Sequence, residues 1–303
     1  MTASDLTVDT TVSSSHRSVE IYLDGVLSDT YPENNAFPSV YFEGCDTNLS
    51  DTQFTDTIAM AIRVQGGTHT FDDMSVTRAN KDSLYTAAGI EILDTWTRGG
   101  FYYEDATSVT LNNLDITENG SSPGLSFSGT LGLDGSVRSS LSMTDLNITS
   151  SLGTGLTLTN ITTNLNSPSI SGTGGQGVSA TGGALTINDG IISGSSGTGV
   201  ATSETSLTIT DTFIQDGSMD GIFASGGSTD LSENTIQGNE ANGVTLSAGT
   251  ATLVDNLITT NNSYGVDCGS AEILECSNII IDNGTADVFQ CEGHCGEEAD
   301  ADA

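Results

Sequence analysis

The chain is 303 residues long and carries 40 Asp or Glu against 6 Lys or Arg, a formal net charge of -34. A field of that sign and size disfavours nucleic acid, anionic lipid and bare polyanionic sugar as partners, and favours solubility, divalent cations or a salty medium that screens the repulsion. No apolar run approaches the ~18 residues of a membrane-spanning helix. Met1-Thr2-Ala3-Ser4-Asp5 lacks the basic-then-apolar plan of a signal peptide, so either an export signal has been removed or the chain is a piece of a longer protein.

Glycine is frequent (36) and proline rare (4), which suits tight turns between strands. Residues 1–60 show little pattern beyond Ser18 to Leu27, where two runs flank Asp24-Gly25 as a strand, a turn and a second strand. This stretch is expected to cap the main body or to form a small β segment of its own. Self-similarity begins after it. Thr70-Phe71-Asp72-Asp73-Met74-Ser75-Val76 matches Thr110-Leu111-Asn112-Asn113-Leu114-Asp115-Ile116 and Ser142-Met143-Thr144-Asp145-Leu146-Asn147-Ile148. Phe71 and Leu111 are 40 residues apart, Leu111 and Met143 are 32 apart, and Leu165 follows at 22. The excess over 22 predicts long loops at 78–106 and 117–140, on the face that repeat proteins use for binding.

The first loop concentrates side chains suited to sugars: Tyr85, Trp96, Tyr102 and Tyr103 offer flat faces for stacking, while Arg98 and Asp105 can bond hydroxyls. Packing of the loop onto the body is the competing reading of the same residues.

From Leu156 that last interval becomes constant. Leu156, Val178, Val200, Ile222, Val244, Val266 and Val288 recur at it, with Gly155, Gly177, Gly199, Gly221, Gly243 and Gly265 immediately ahead. A second column runs Ile170, Ile192, Ile214, Ile236, Ile258 and Ile280, and a third runs Leu165, Ile187, Ile209, Leu231 and Leu253 until Glu275 interrupts it. Three apolar columns with period-2 alternation mean three short strands per 22-residue coil of an all-β solenoid spanning 61–291. Asn234, Asn256 and Asn278 share one register and Asn239, Asn261 and Asn283 another, as amide ladders between coils would.

Two outward rows carry chemical options. Asp189, Asp211, Glu233 and Asp255 stack as an acidic row, which Ca2+ could bridge or solvent could simply bathe. Thr110, Ser142, Asn164, Thr186, Thr208, Asp230 and Thr252 form a hydroxyl-rich row, a remote pointer to ice binding; Thr is also a good exposed strand residue. Cys268, Cys276, Cys291 and Cys295 cluster near the end and are read as disulfides of an exported protein, Cys268 with Cys276 and Cys291 with Cys295. Residues 292–303 form an acidic, solvated tail.

Segments such as Asp255-Asn256-Leu257-Ile258-Thr259-Thr260-Asn261-Asn262-Ser263-Tyr264-Gly265-Val266-Asp267 resemble the repeats of right-handed parallel β-helix proteins of the pectin-lyase-like superfamily. Within them, Tyr264-Gly265-Val266-Asp267 resembles the opening of alginate epimerase motifs, but Cys268 and Gly269 replace the proline and histidine that continue the pattern. The resemblance implies a right-handed parallel β-helix and little about activity, because that fold hosts many chemistries. Composition and resemblance together give an extracellular or cell-surface structural or adhesive module with carbohydrate contact. The alternative is a polysaccharide-active lyase, glycoside hydrolase or epimerase, for which at least two carboxylates and an Arg should converge in an open groove beside the long loops; a groove lined by aromatics alone would leave binding only.

Overall fold

The computed structural model describes residues 2–4, 6–12, 17–23, 26–32, 40–43, 46–55, 60–80, 88–98, 101–104 and 106–291. Every named element in them is a β-strand. Parallel ladders stack into a solenoid of about 10 turns with a spacing of ~22 residues, and each turn contributes a strand to each of three faces.

The first face holds Val40–Glu43, Ile62–Gln65, Ile90–Leu93, Leu125–Ser128, the starts of Leu156–Asn166 and Val178–Asn188, and so on to Ala286–Phe289. The second face aligns Thr70, Thr110, Ser142, Asn164, Thr186 and Thr208, the register expected from sequence. The third aligns Ile148, Ile170, Ile192, Ile214, Ile236 and Ile258. All six of these Ile side chains are buried, each contributing about 1.5–3 kcal/mol by leaving water.

The Gly ahead of the first-face anchors from Ile90 to Val266 has a packing cause. A Cβ on Gly199 would lie 2.6 Å from the Gly221 carbonyl oxygen and 2.8 Å from Ile214 Cγ2, so the coils close only around a bare Cα. The corner between the second and third faces is a single residue in the left-handed region: Asp51, Asp73, Asn113, Asp145, Ser167, Asp189, Asp211, Glu233 and Asp255 all have φ between 49° and 58°. Asp and Asn tolerate that conformation better than other L-residues. The acidic row therefore marks a backbone requirement.

Four features depart from the sequence reading. Parallel pairing already joins Val40 to Ile62 and Asn48 to Thr70, inside the stretch assigned to a cap. Upstream, Leu6–Val12 pairs antiparallel with Arg17–Leu23, which pairs antiparallel with Val26–Pro32; Thr2–Ser4 and Leu6–Val12 also add in parallel to Thr47–Thr55. The expected strand pair around Asp24-Gly25 is present, with Leu23 opposite Val26. The two long intervals are not single loops, because Ile90–Leu93 and Leu125–Ser128 are regular first-face strands within them. Glu275 does not end the inward column either: a register shift sets Cys276 beside Leu253 and leaves Glu275 exposed.

The cysteine pairing is corrected as well. Cys268 bonds Cys291 across a Cα separation of 5.0 Å. Neither Cys268–Cys276 nor Cys291–Cys295 forms, since both need a cysteine already used; Cys276 is itself disulfide-bonded. In a 22-residue solenoid the spatial neighbour of a residue lies one coil on, and these two cysteines are 23 residues apart. Cys295 and the acidic tail 292–303 lie outside the described residues.

Candidate functional site

Alternation along the first-face strands buries Ile62, Val64, Ile90 and Ile92 and turns their neighbours outward. On the first three rungs the outward positions are Tyr41 and Glu43, then Arg63 and Gln65, then Glu91 and Leu93, of which Gln65 is covered and buried. Register places Tyr41, Arg63 and Glu91 in one row and Glu43, Gln65 and Leu93 in the next. Rungs are about 4.8 Å apart, so these side chains meet. Arg63 Nε donates to Glu91 Oε2 at 2.6 Å, and its Nη2 lies 2.5 Å from the same oxygen. The Tyr41 hydroxyl donates to Gln65 Oε1, and Tyr41 is 45% exposed. Partial burial raises the Tyr41 pKa above 10.0, the Glu43 carboxylate adds to the rise, and Arg63 partly opposes it.

Two carboxylates and an Arg thus share an open surface with a phenol. The phenol, its pKa raised, donates to Gln65, and the guanidinium is engaged by Glu91. What remains is an exposed tyrosine beside a row of donors and acceptors, a surface that suits polyhydroxyl ligands.

The two large insertions leave the solenoid at one corner, directly after Leu93 and after Ser128. The first continues as the antiparallel strands Thr95–Arg98 and Phe101–Glu104, with Trp96 opposite Tyr103 and Thr97 opposite Tyr102. Buried Asp94 sits at its root and accepts from Thr130 N at 2.7 Å and Ser139 Oγ at 3.0 Å, tying the first insertion to the second. Thr107 continues the stitching, donating its hydroxyl to the Leu93 carbonyl while its main-chain N–H donates to Ser139 Oγ.

Of the residues singled out from sequence, Trp96, Arg98, Tyr102 and Tyr103 lie on these two strands, with side chains outside the described part; Tyr85 and Asp105 lie outside the described residues. Tyr41, Glu43, Arg63, Gln65 and Glu91 were missed. Their signal is the alternate position, one or three residues after each anchor. It was hidden because Ser39 and Ala61 stand where later coils have Gly.

Elsewhere the expected rows are in place. Asp189, Asp211, Glu233 and Asp255 occupy exposed left-handed corners, each on its own rung, and among the described residues no three His, Cys, Asp or Glu side chains group as metal ligands. The row extends upward into an open depression lined by Asp51, Asp73, Asn113 and Asp115. Hydroxyls of the second face bond one another between rungs, as Ser206 with Ser228 at 3.0 Å and Thr210 with Ser232 at 3.1 Å. At the far end of the first face, Tyr264 stacks on Phe289 at 4.5 Å and Asp267 accepts from Gly269 N at 3.0 Å. Half-buried Asp220 accepts from Asn242 N at 3.0 Å; burial pushes its pKa up, against the hydrogen bonds of Asn242 and Thr245, and the Asp267 charge adds to the rise. Tyr264 and Asp267 are thus engaged in stacking and turn capping.

A family described as the right handed beta helix region matches residues 154–297. Among solved structures, a double mutant of the periplasmic alginate epimerase AlgG superposes with a TM-score of 0.53 at 11% identity, covering 82% of this chain and 67% of that one. The Azotobacter vinelandii mannuronan C-5 epimerase AlgE4 A-module gives 0.50 at 11% identity, covering 84% and 91%. No curated protein matches the sequence significantly. At such identities the likeness concerns the fold. With parallel ladders on three faces and a 22-residue spacing, the chain has the right-handed parallel β-helix fold, and residues 154–297 match the right handed beta helix region family.

Proposed function

We propose that this β-helix is an exported structural or adhesive rod that holds neutral carbohydrate against the outward side of its first rungs. The observation that carries the reading is the surface built by Tyr41, Arg63 and Glu91: an exposed tyrosine, its hydroxyl held by buried Gln65, next to a paired Arg and Glu. The neighbouring insertion, with Trp96, Tyr102 and Tyr103, extends the aromatic supply. A net charge of -34 opposes a polyuronate, which directs the choice to uncharged sugars. A polysaccharide-active enzyme is the second reading, favoured by the presence of Glu43 and Glu91 with an Arg. The raised Tyr41 pKa and the engaged guanidinium support binding instead.

The test is a glycan array of neutral and uronate polymers followed by titration calorimetry. Neutral glycans should bind, and Tyr41→Ala and Trp96→Ala should each weaken binding about tenfold at unchanged melting temperature. Preference for uronates, or binding indifferent to both substitutions, refutes this assignment. Turnover of a bound glycan that disappears in Glu91→Gln would establish the enzymatic reading.

A further inference from the structure

We propose that the outer side of the third face, from Ile191 to Ile281, docks a protein partner presenting an apolar strip flanked by basic side chains. The outward column of this face runs through ten rungs. In the first five it is polar: Gln53, Ser75, Asp115, Asn147 and Ser169. In the next five it is Ile191, Phe213, Thr235, Leu257 and Ile279. Ile191 is 48% exposed, Phe213 47%, Ile279 61% and Ile281, in the adjacent outward column, 45%. Isolated exposed apolar residues are ordinary, but a column about 19 Å long, four rung spacings, with four apolar side chains broken only by Thr235, is not.

Charge identifies the occupant. The second outward column, Ser193, Gln215, Gln237, Thr259 and Ile281, is also uncharged, so no acid interrupts the strip in a chain with 40 of them. Acids frame it instead. Exposed Asp189, Asp211, Glu233 and Asp255 line one corner, and exposed Asp216 and Asp282 stand at the other. A second copy of this region cannot complement that frame, since no Lys or Arg follows Arg138 and two acidic rows would face each other. A basic amphipathic segment matches both components, its apolar side chains on the strip and its cations on the rims.

The probe is a synthetic peptide alternating Leu with Lys, beside one with Ser in place of Leu and one with Glu in place of Lys, each titrated against the full chain. The Leu–Lys peptide should bind saturably, with affinity falling as salt rises. Combining Phe213→Ser with Ile279→Ser, which leaves the charge unchanged, should weaken it by about tenfold or more. Combining Asp189→Asn, Asp211→Asn and Asp255→Asn should also weaken it and flatten the salt dependence; this variant serves alone if the first does not fold. Equal affinity for the Ser–Lys peptide, indifference to the apolar substitutions, or no binding of the Leu–Lys peptide at low salt overturns the proposal. So does sedimentation showing a wild-type dimer that Phe213→Ser dissolves.

Discussion

Replacing Asn256 by alanine removes the central member of an amide ladder inside the solenoid wall. Asn256 is 1% exposed. Its Oδ1 accepts from the main-chain N and the Nδ2 of Asn234, both at 2.9 Å, and its own Nδ2 donates to Leu231 O at 2.8 Å and Asn278 Oδ1 at 2.8 Å. Alanine leaves the Asn234 main-chain N–H, one Asn234 amide proton and the Leu231 carbonyl without these partners. Each stranded buried group costs about 1–3 kcal/mol, so a total of about 3–6 kcal/mol is expected after local relaxation. Asn188 provides the control. Its Nδ2 donates to Asn166 Oδ1 at 3.2 Å, the same amide–amide contact, but on the exposed side of the second face where water can replace it. Asn188→Ala should cost within about 0.5 kcal/mol. Urea denaturation followed by circular dichroism measures both, with the slope checked for loss of cooperativity, to which repeat arrays are prone. Equal costs for the two substitutions, or less than about 1 kcal/mol for Asn256→Ala, would refute the assignment of the ladder as a clamp between coils.

Ile214→Asp places a carboxylate between Ile192 and Ile236 and should cost several kcal/mol, whereas Thr208→Asp, on the outward side of a neighbouring strand, should stay within about 1 kcal/mol; comparable losses would mean that the inward–outward register is wrong. Cys268→Ser opens a covalent link between residues 23 apart and should lower stability by about 3 kcal/mol, and a non-reducing digest should join the Cys268 and Cys291 peptides. His69 is buried against Phe42 and Phe71, and burial holds its pKa below 6.5. Below that pH the unfolded chain takes a proton that the fold resists, so stability should fall on acidification and His69→Phe should flatten the slope. Asp220 has the opposite sign: its raised pKa makes the charged form a penalty at neutral pH, relieved as pH falls through that value. Asp220→Asn should therefore stabilise at pH 7 and give no gain below 3.8; a loss at pH 7 would show that the carboxylate itself is required.

The regular half was legible because one packing constraint repeats. Each first-face anchor there needs a bare Cα ahead of it, and Gly155 to Gly265 report that constraint once per coil. Ahead of Ile62 the residue is Ala61 and not Gly, so the earliest coils lack the signature although Val40 and Ile62 keep the interval. Insertions obscured the next ones. A four-residue strand such as Ile90–Leu93, with extra residues on both sides, offers too little alternation to stand out from a loop. The same cause concealed the candidate site. It takes one or two outward residues from each of three rungs, so Tyr41, Arg63 and Glu91 each sit on a different coil and form no local motif. The acidic row was visible but its cause was not, because only φ reveals that Asp211 and its equivalents turn a corner.

The two halves of the rod hold their coils together by different means, and this bears on where function resides. In the regular half, buried amides do the clamping: Asn234, Asn256 and Asn278 in one line, Asn239, Asn261 and Asn283 in the other. In these ladders each amide meets its equivalent one rung away, 22 residues along the chain. In the irregular half the cross-rung links on the surface include ion pairs, Arg63 with Glu91 and Arg78 with Glu118, whose partners lie further apart in sequence than one regular coil. Long side chains tolerate unequal coils, so insertions after Leu93 and Ser128 can be accommodated without breaking the strand register. All six Lys and Arg occur at or before Arg138, in the same half as those insertions. Variation in loop length, aromatic supply and paired charge thus coincide at the N-terminal rungs, where the proposed sugar contact lies. The uniform C-terminal coils present instead an unvarying surface, on which the strip from Ile191 to Ile281 departs from polarity. A rod that offers sugar contact at one end and a partner-binding strip along the other would join two surfaces, and each can be disabled without the other by Tyr41→Ala or by Phe213→Ser with Ile279→Ser.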